Sequence, residues 1–227
     1  MTLTTTIGAL FIGQAETHWV GRPASAIVKH PVTTRLEITP TGIVGDAQAD
    51  LTFHGGPEKA IHHYAAEHYP KWQTELGRSD LFPGRFGENI STLGMTEDTL
   101  CIGDILTLGT ATVQISQGRQ PCWKLNAHMG DNKMAFRFQN TGRTGWYYRV
   151  LTIGHVAPGD LIEVVERPCP QWSVRLVTQA RLTRRIAPEK AAELAELTQL
   201  APSWRKAFAR FAQGVADEDT APRLSGT

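Results

Sequence analysis

The sequence predicts a mainly β protein with some α structure: a β-barrel over residues 1–168, a small helical domain over 169–213 and a disordered tail over 214–227. Three observations carry this. The 21 Gly and 13 Pro supply the tight turns that a fold of short strands needs and a helical bundle does not. Short runs of branched residues alternate with those turns through the first three quarters of the chain. After Pro168-Cys169-Pro170 the composition shifts to Ala, Leu and Glu at helical spacing.

Taken in order, residues 7–12 form a first strand, and residues 25–29 (SAIVK) and 35–38 (RLEI) two more, punctuated by Pro31 and Pro40. Residues 63–76 place Tyr64, Ala65, Tyr69, Trp72 and Leu76 at near-helical intervals. Residues 104–116 (DILTLGTATVQIS) make the clearest hairpin, with Gly109-Thr110 at its turn. Ala111, Val113 and Ile115 share one face, and Thr112, Gln114 and Ser116 the other. Residues 145–151 and 160–166 are further strands. Many short strands with Gly-bearing turns suggest a closed or half-closed barrel. Beyond it, residues 175–184 read as a helix. Pro188 opens another with Leu194, Leu197 and Leu200 on one face, and residues 203–212 repeat the stripe with Trp204, Phe208 and Phe211. Such short helices need to pack on the barrel or on a second subunit.

Composition narrows the function. A 41% hydrophobic content fills a core, so disorder throughout is excluded. With 23 Lys+Arg against 22 Asp+Glu, the net charge of +1 gives no electrostatic footprint for nucleic acid or an anionic membrane. Three Cys without a C-x-x-C argue against a disulfide framework and a four-cysteine zinc site. The opening MTLTTTIGALFIG has neither a basic leader nor a membrane-length apolar run, so a cytoplasmic protein is expected.

Reactive chemistry concentrates in residues 116–126 (SQGRQPCWKLN), where Cys122 follows a strand end and Arg119 and Lys124 favour its thiolate. A thiolate there is a nucleophile, a persulfide carrier or a soft metal ligand; otherwise Cys122 is a small buried hydrophobe, the role that suits Cys101 and Cys169. In residues 42–64, the His54-Gly55-Gly56-Pro57 turn lets a ligand approach backbone amides, with Lys59 in reach. His62, His63, Glu67 and His68 invite a zinc-hydrolase reading, but H-E-x-x-H is absent and the spacing is one residue too long for H-x-x-E-H. His63 and Glu67 instead read as neighbours on a helix surface. In FGENI, Glu88 and Asn89 are candidates to hydrogen-bond a polar ring. Arg143 lies in a Gly-flanked loop before Trp146, Tyr147 and Tyr148, which read as packing residues. No Walker A or G-x-G-x-x-G loop is present.

Together, SAIVKHPV, the HGGPEK segment, FGENIST, GDILTLG, SQGRQPCWKLN and NTGRTGWYYRV resemble, in order, the MOSC family (molybdenum-cofactor sulfurase C-terminal domain) and its YiiM-type branch. The resemblance implies a MOSC-type β-barrel holding a molybdopterin-type molybdenum cofactor, with Cys122 as the metal ligand and a C-terminal three-helix domain. Lys29, Lys59 and Arg119 would neutralise the pterin phosphate, and Asn89 would add a contact. The activity it implies is reduction of N-hydroxylated bases and amines, 6-hydroxylaminopurine among them, with electrons from a separate flavoprotein. His54, His62 and Asp46 are the candidate proton donors. A homodimer is compatible; nucleic-acid and membrane partners are not expected. One departure is Gly118, where the motif commonly carries proline. Three alternatives stay open: a sulfur carrier using a Cys122 persulfide, a cofactor-handling protein without turnover, and a metal-free purine-binding module.

Overall fold

The computed structural model describes residues 3–49, 55–215 and 220–226. The chain begins with two short strands, β1 (Thr4–Thr6) and β2 (Ala9–Ile12), where one strand over residues 7–12 was expected. β3 (His30–Val32), β4 (Leu36–Thr39) and β5 (Gly42–Ile43) follow, then a single 3-10 turn (Pro57–Lys59), β6 (Ile61–Ala65) and α1 (His68–Leu76). Next come β7 (Ile90–Thr92), β8 (Ile105–Leu108), β9 (Ala111–Gly118), α2 (Trp123–Met129) and α3 (Met134–Thr141). β10 (Trp146–Thr152), β11 (Gly154–Val156) and β12 (Leu161–Glu166) complete the strands. The helices α4 (Val174–Thr183), α5 (Pro188–Glu196), α6 (Pro202–Ala212) and α7 (Ala221–Leu224) end the chain.

Nine strands form one sheet in the order β1-β12-β8-β9-β10-β6-β7-β2-β3, and β11-β4-β5 form a second. Pairing is antiparallel except between β6 and β7, which the α1 crossover makes parallel. The large sheet curls until its ends meet. β1 pairs with β12 and β2 with β7, yet only Ile7 and Gly8 separate them. At this seam the Ile7 amide donates to the Asp160 carbonyl at 2.9 Å and the Gly8 amide to the Ser91 carbonyl at 3.0 Å. The stretch Thr4–Ile12 thus bridges the two ends of the curled sheet.

Two sequence expectations are corrected. Residues 25–29 form no strand; apart from one bridge between Glu16 and Ser25 they run extended along the pocket described below. Residues 61–65 are a strand rather than the start of a helix. Every one of its five side chains is buried, so neither alternation nor a helical stripe marks it. The supposed His63–Glu67 helix pair therefore does not exist: His63 lies on β6 and Glu67 precedes α1.

Period-2 alternation along β6 and β10 sorts side chains to the two sides of the barrel wall. Ile61, Trp146 and Tyr148 join the barrel interior with Leu106, Val113, Ile115 and Ile162. His63 lies on that inner side too, each ring nitrogen within hydrogen-bond reach of a hydroxyl, Tyr148 Oη at 2.9 Å and Thr92 Oγ1 at 2.8 Å. On the outer side Tyr64 packs with Tyr69 and Trp72 of α1, Phe86, Leu125 of α2 and Phe138 of α3. The expected polar face of the β8–β9 hairpin is covered as well: Gln114 and Ser116 are buried, because the C-terminal helices lie over them and the Ala201 amide donates to the Ser116 carbonyl at 2.9 Å. α4 and α6 match their expected spans to within one residue, whereas α5 ends at Glu196, short of the Leu197 and Leu200 expected on its face, because Leu197 is already extended.

Candidate functional site

The pocket with the chemistry lies against the outer wall of the barrel. Its floor comes from β6 and β10, where His62 and Tyr147 are register partners with ring centroids 5.0 Å apart. One side is the loop after β9, carrying Arg119, Cys122 and Lys124; the other is residues 25–29 with Asp46 and the stretch behind it. Gly87 closes the back, packed so tightly that a Cβ there would sit 2.9 Å from Ile27 Cγ1.

Cys122 is 8% exposed and caps the start of α2 in extended conformation. The loop expected to carry it is thus the entry to a short helix. Arg119 is held from two sides: its amide donates to the Gly145 carbonyl at 3.0 Å, and its Nη1 to the Phe86 carbonyl at 2.6 Å. No carboxylate pairs with it among the described residues. Lys124 is buried, its Nζ donating to the Ala24 carbonyl at 3.3 Å, which ties the two pocket sides together. Lys59 ends the 3-10 turn and lines the pocket. That turn is anchored underneath by Glu58, whose carboxylate accepts from Arg149 Nη2 at 2.5 Å and whose carbonyl accepts from Ser116 Oγ at 2.6 Å.

Asp46 organises the opposite side. Its carboxylate forms a short ion pair with Lys29 and accepts the Gly13 amide at 2.7 Å and Asn89 Nδ2 at 2.8 Å. Asn89 in turn donates to the Phe11 carbonyl at 3.2 Å and accepts the His62 amide at 3.0 Å on Oδ1. Both amide hydrogens of Asn89 are therefore engaged, and it faces the pocket as a hub joining β2, β6 and Asp46. Lys29 and Asp46 are each 6% exposed. Burial lowers the Lys29 pKa below its usual 10.5, against the opposing pull of Asp46. Burial, aided by the Arg119 charge, holds His62 well below the ordinary histidine value, so it meets the pocket as a neutral ring. Its Nε2 has no hydrogen-bond partner among the described residues and is tucked against Gly145, where a Cβ would come within 2.8 Å. Burial raises the Tyr147 pKa, keeping its hydroxyl protonated.

Of the residues singled out in the sequence, the structure brings together Cys122, Arg119, Lys29, Lys59, Asp46, Asn89 and His62. His54 lies outside the described residues. Glu88 does not reach the pocket; its carboxylate turns into its own loop, accepting the Gly84 amide at 2.6 Å, the Phe86 amide at 3.1 Å and the Tyr69 hydroxyl. Arg143 is structural, paired with Glu75 at 2.6 Å over the Trp72 ring. Tyr147, read as packing, is instead part of the floor, and Lys124 supplies a fourth cation. Trp146 and Tyr148 point to the barrel interior as expected. Among the described residues, no three His, Cys, Asp or Glu side chains gather as a metal cage, and His62, His63 and His68 face different surroundings.

The MOSC domain pattern matches residues 50–163. YiiM of Escherichia coli is 42% identical over 160 residues, 70% of this chain and 71% of that protein. A protein of Gibberella moniliformis named as a reductase is 39% identical over 183 residues, 79% of this chain but 32% of that longer one. The crystal structure of YiiM from Geobacillus stearothermophilus superposes with a TM-score of 0.79 at 32% identity, covering 92% of this chain and 99% of the other. The pocket residues Lys59, His62, Asn89, Arg119, Cys122, Lys124 and Tyr147 all fall within the matched pattern. Sequence pattern, relatives and fold thus agree that the chain belongs to the MOSC domain family and is YiiM-like.

Proposed function

We propose that this chain is a molybdenum-cofactor-dependent reductase of N-hydroxylated bases or amines. The observation that carries the reading is a single thiol, Cys122, in a pocket bearing four cations, Lys29, Lys59, Arg119 and Lys124, and one carboxylate, Asp46. That donor set fits a metal delivered within an anionic organic chelate: the protein contributes one soft ligand, and the cations meet the negative groups of the carrier. The relative named as a reductase supports the redox side of the reading.

The cofactor, when bound, supplies the two-electron redox change that N–O cleavage requires. The net reaction takes R–NHOH, two electrons and two protons to R–NH2 and water, with electrons from a separate flavoprotein. The chain's own residues fix position and protons. Asp46, itself held by Asn89, holds Lys29 in place. Tyr147 presents a protonated hydroxyl, and Lys29 Nζ gives up its proton more readily than an exposed lysine. His62, neutral in its buried setting, suits orientation of a ligand better than proton donation, and the Asp46 carboxylate receives hydrogen bonds from three donors.

The test is molybdenum and pterin content after expression in a cofactor-competent host, wild type beside Cys122→Ser. Near-stoichiometric metal in the wild type that disappears in the variant is expected, together with loss of hydroxylamine reduction. Equal metal in both proteins would sink the ligand assignment. Added sulfur on Cys122 by mass spectrometry, with no molybdenum, would replace this reading with the sulfur carrier.

A further inference from the structure

The C-terminal segment, expected to be disordered, reaches back to the pocket. α7 has four residues, too few to persist without tertiary contacts. Those contacts converge on the residues flanking Cys122. Arg223 Nη1 donates to the Pro121 carbonyl at 2.6 Å, and Nη2 to Gln139 Oε1 on α3 at 3.0 Å. Asn126 Nδ2 of α2 donates to the Leu224 carbonyl at 2.8 Å. Arg22 Nη1 donates to the Gly226 carbonyl at 2.7 Å while its guanidinium lies 4.9 Å from the Trp123 ring centroid. Gly226 itself packs so closely that a Cβ would stand 2.9 Å from Trp123 Cγ. The last turn therefore touches Pro121 and Trp123, on either side of Cys122. It also ties them to Arg22, two residues before the Ala24 carbonyl that receives Lys124.

We propose that residues 220–226 are a strap that sets the position and accessibility of Cys122, with Arg223 as the positioning residue. The proposal rests on the reading of Cys122 as the functional thiol. Arginine is required because its fork bridges two acceptors on different elements, the loop before α2 and a side chain of α3, which a single ammonium does not span in the same way. Pro121 lies buried, so removal of Arg223 strips its carbonyl of a charged donor and loosens the backbone at Cys122.

The test is iodoacetamide alkylation of metal-free, full-length protein under native conditions, read at each cysteine by peptide mass spectrometry. Cys101 and Cys169, buried elsewhere and in no disulfide, report global opening. In Arg223→Gln, Cys122 is expected to react about tenfold faster than in wild type, with Cys101 and Cys169 unchanged, as for loss of one charged hydrogen bond. Arg223→Lys is expected to follow Arg223→Gln despite keeping the charge. An unchanged Cys122 rate, or a parallel rise at all three cysteines, overturns the strap. Because the protein carries no metal in this experiment, its outcome is independent of whether Cys122 binds molybdenum, which Cys122→Ser tests separately.

Discussion

Buried between Tyr148 and Thr92, His63 has its pKa pushed down to about 3, so it folds as a neutral ring. The unfolded chain binds a proton near pH 6.5, hence between about 6.5 and 3 the unfolded state holds more protons and stability falls as pH drops. From pH 7 to pH 5 this group alone removes about 2 kcal/mol. His62 adds a loss of the same sign. Urea denaturation at the two pH values should show a shallower slope in His63→Gln, and equal slopes would refute the assignment. Cys122 was legible in the sequence because its charged neighbours are adjacent along the chain. Tyr147 was not, since it stands between Trp146 and Tyr148, and three aromatic side chains in a row give no local sign of which one faces the pocket. The Lys29–Asp46–Asn89 hub was equally hidden. Its members are 17 and 43 residues apart in sequence and meet only through the fold.

Between β9 and α4 the distance of approach is set by one glycine. A Cβ at Gly118 would lie 1.9 Å from Thr178 Oγ1. The departure from proline at this position therefore coincides with close packing of a C-terminal helix on the strand that leads to Arg119 and Cys122. Gly118→Ala is expected to cost about 1–3 kcal/mol by overpacking. Thr178→Ala in the same chain should recover part of it, because the hydroxyl is the nearest clash. Denaturant midpoints of the single and double variants decide this, and a neutral Gly118→Ala would refute it. The hairpin, α5 and α6 were legible because their apolar period is strong and Gly109 marks the turn while Pro188 and Pro202 mark the helix starts; α4 was legible from its period alone. α2 and α3, of seven and eight residues, are shorter than the window over which a helical period stands out.

One apolar cluster runs from the barrel interior into the C-terminal helices, joining Leu106, Val113 and Ile115 to Trp172, Val174, Val177, Leu194, Trp204 and Phe208. Composition marks a change of secondary structure near residue 168, but the core continues across it. A chain ending at residue 168 is expected to lose the cooperative melt of the full protein and to aggregate, because it uncovers the buried sides of Gln114 and Ser116 along with this cluster. A sharp unfolding transition in that shortened chain would show the barrel to be self-sufficient. The bridging stretch Thr4–Ile12 has a consequence of its own. Its partner β12 is made only when residues 161–166 leave the ribosome, so the first strand synthesised waits for the last one before it finds an edge. Closure is therefore a late and slow event of high sequence separation, and the nascent chain passes most of its synthesis as an open ribbon in need of protection.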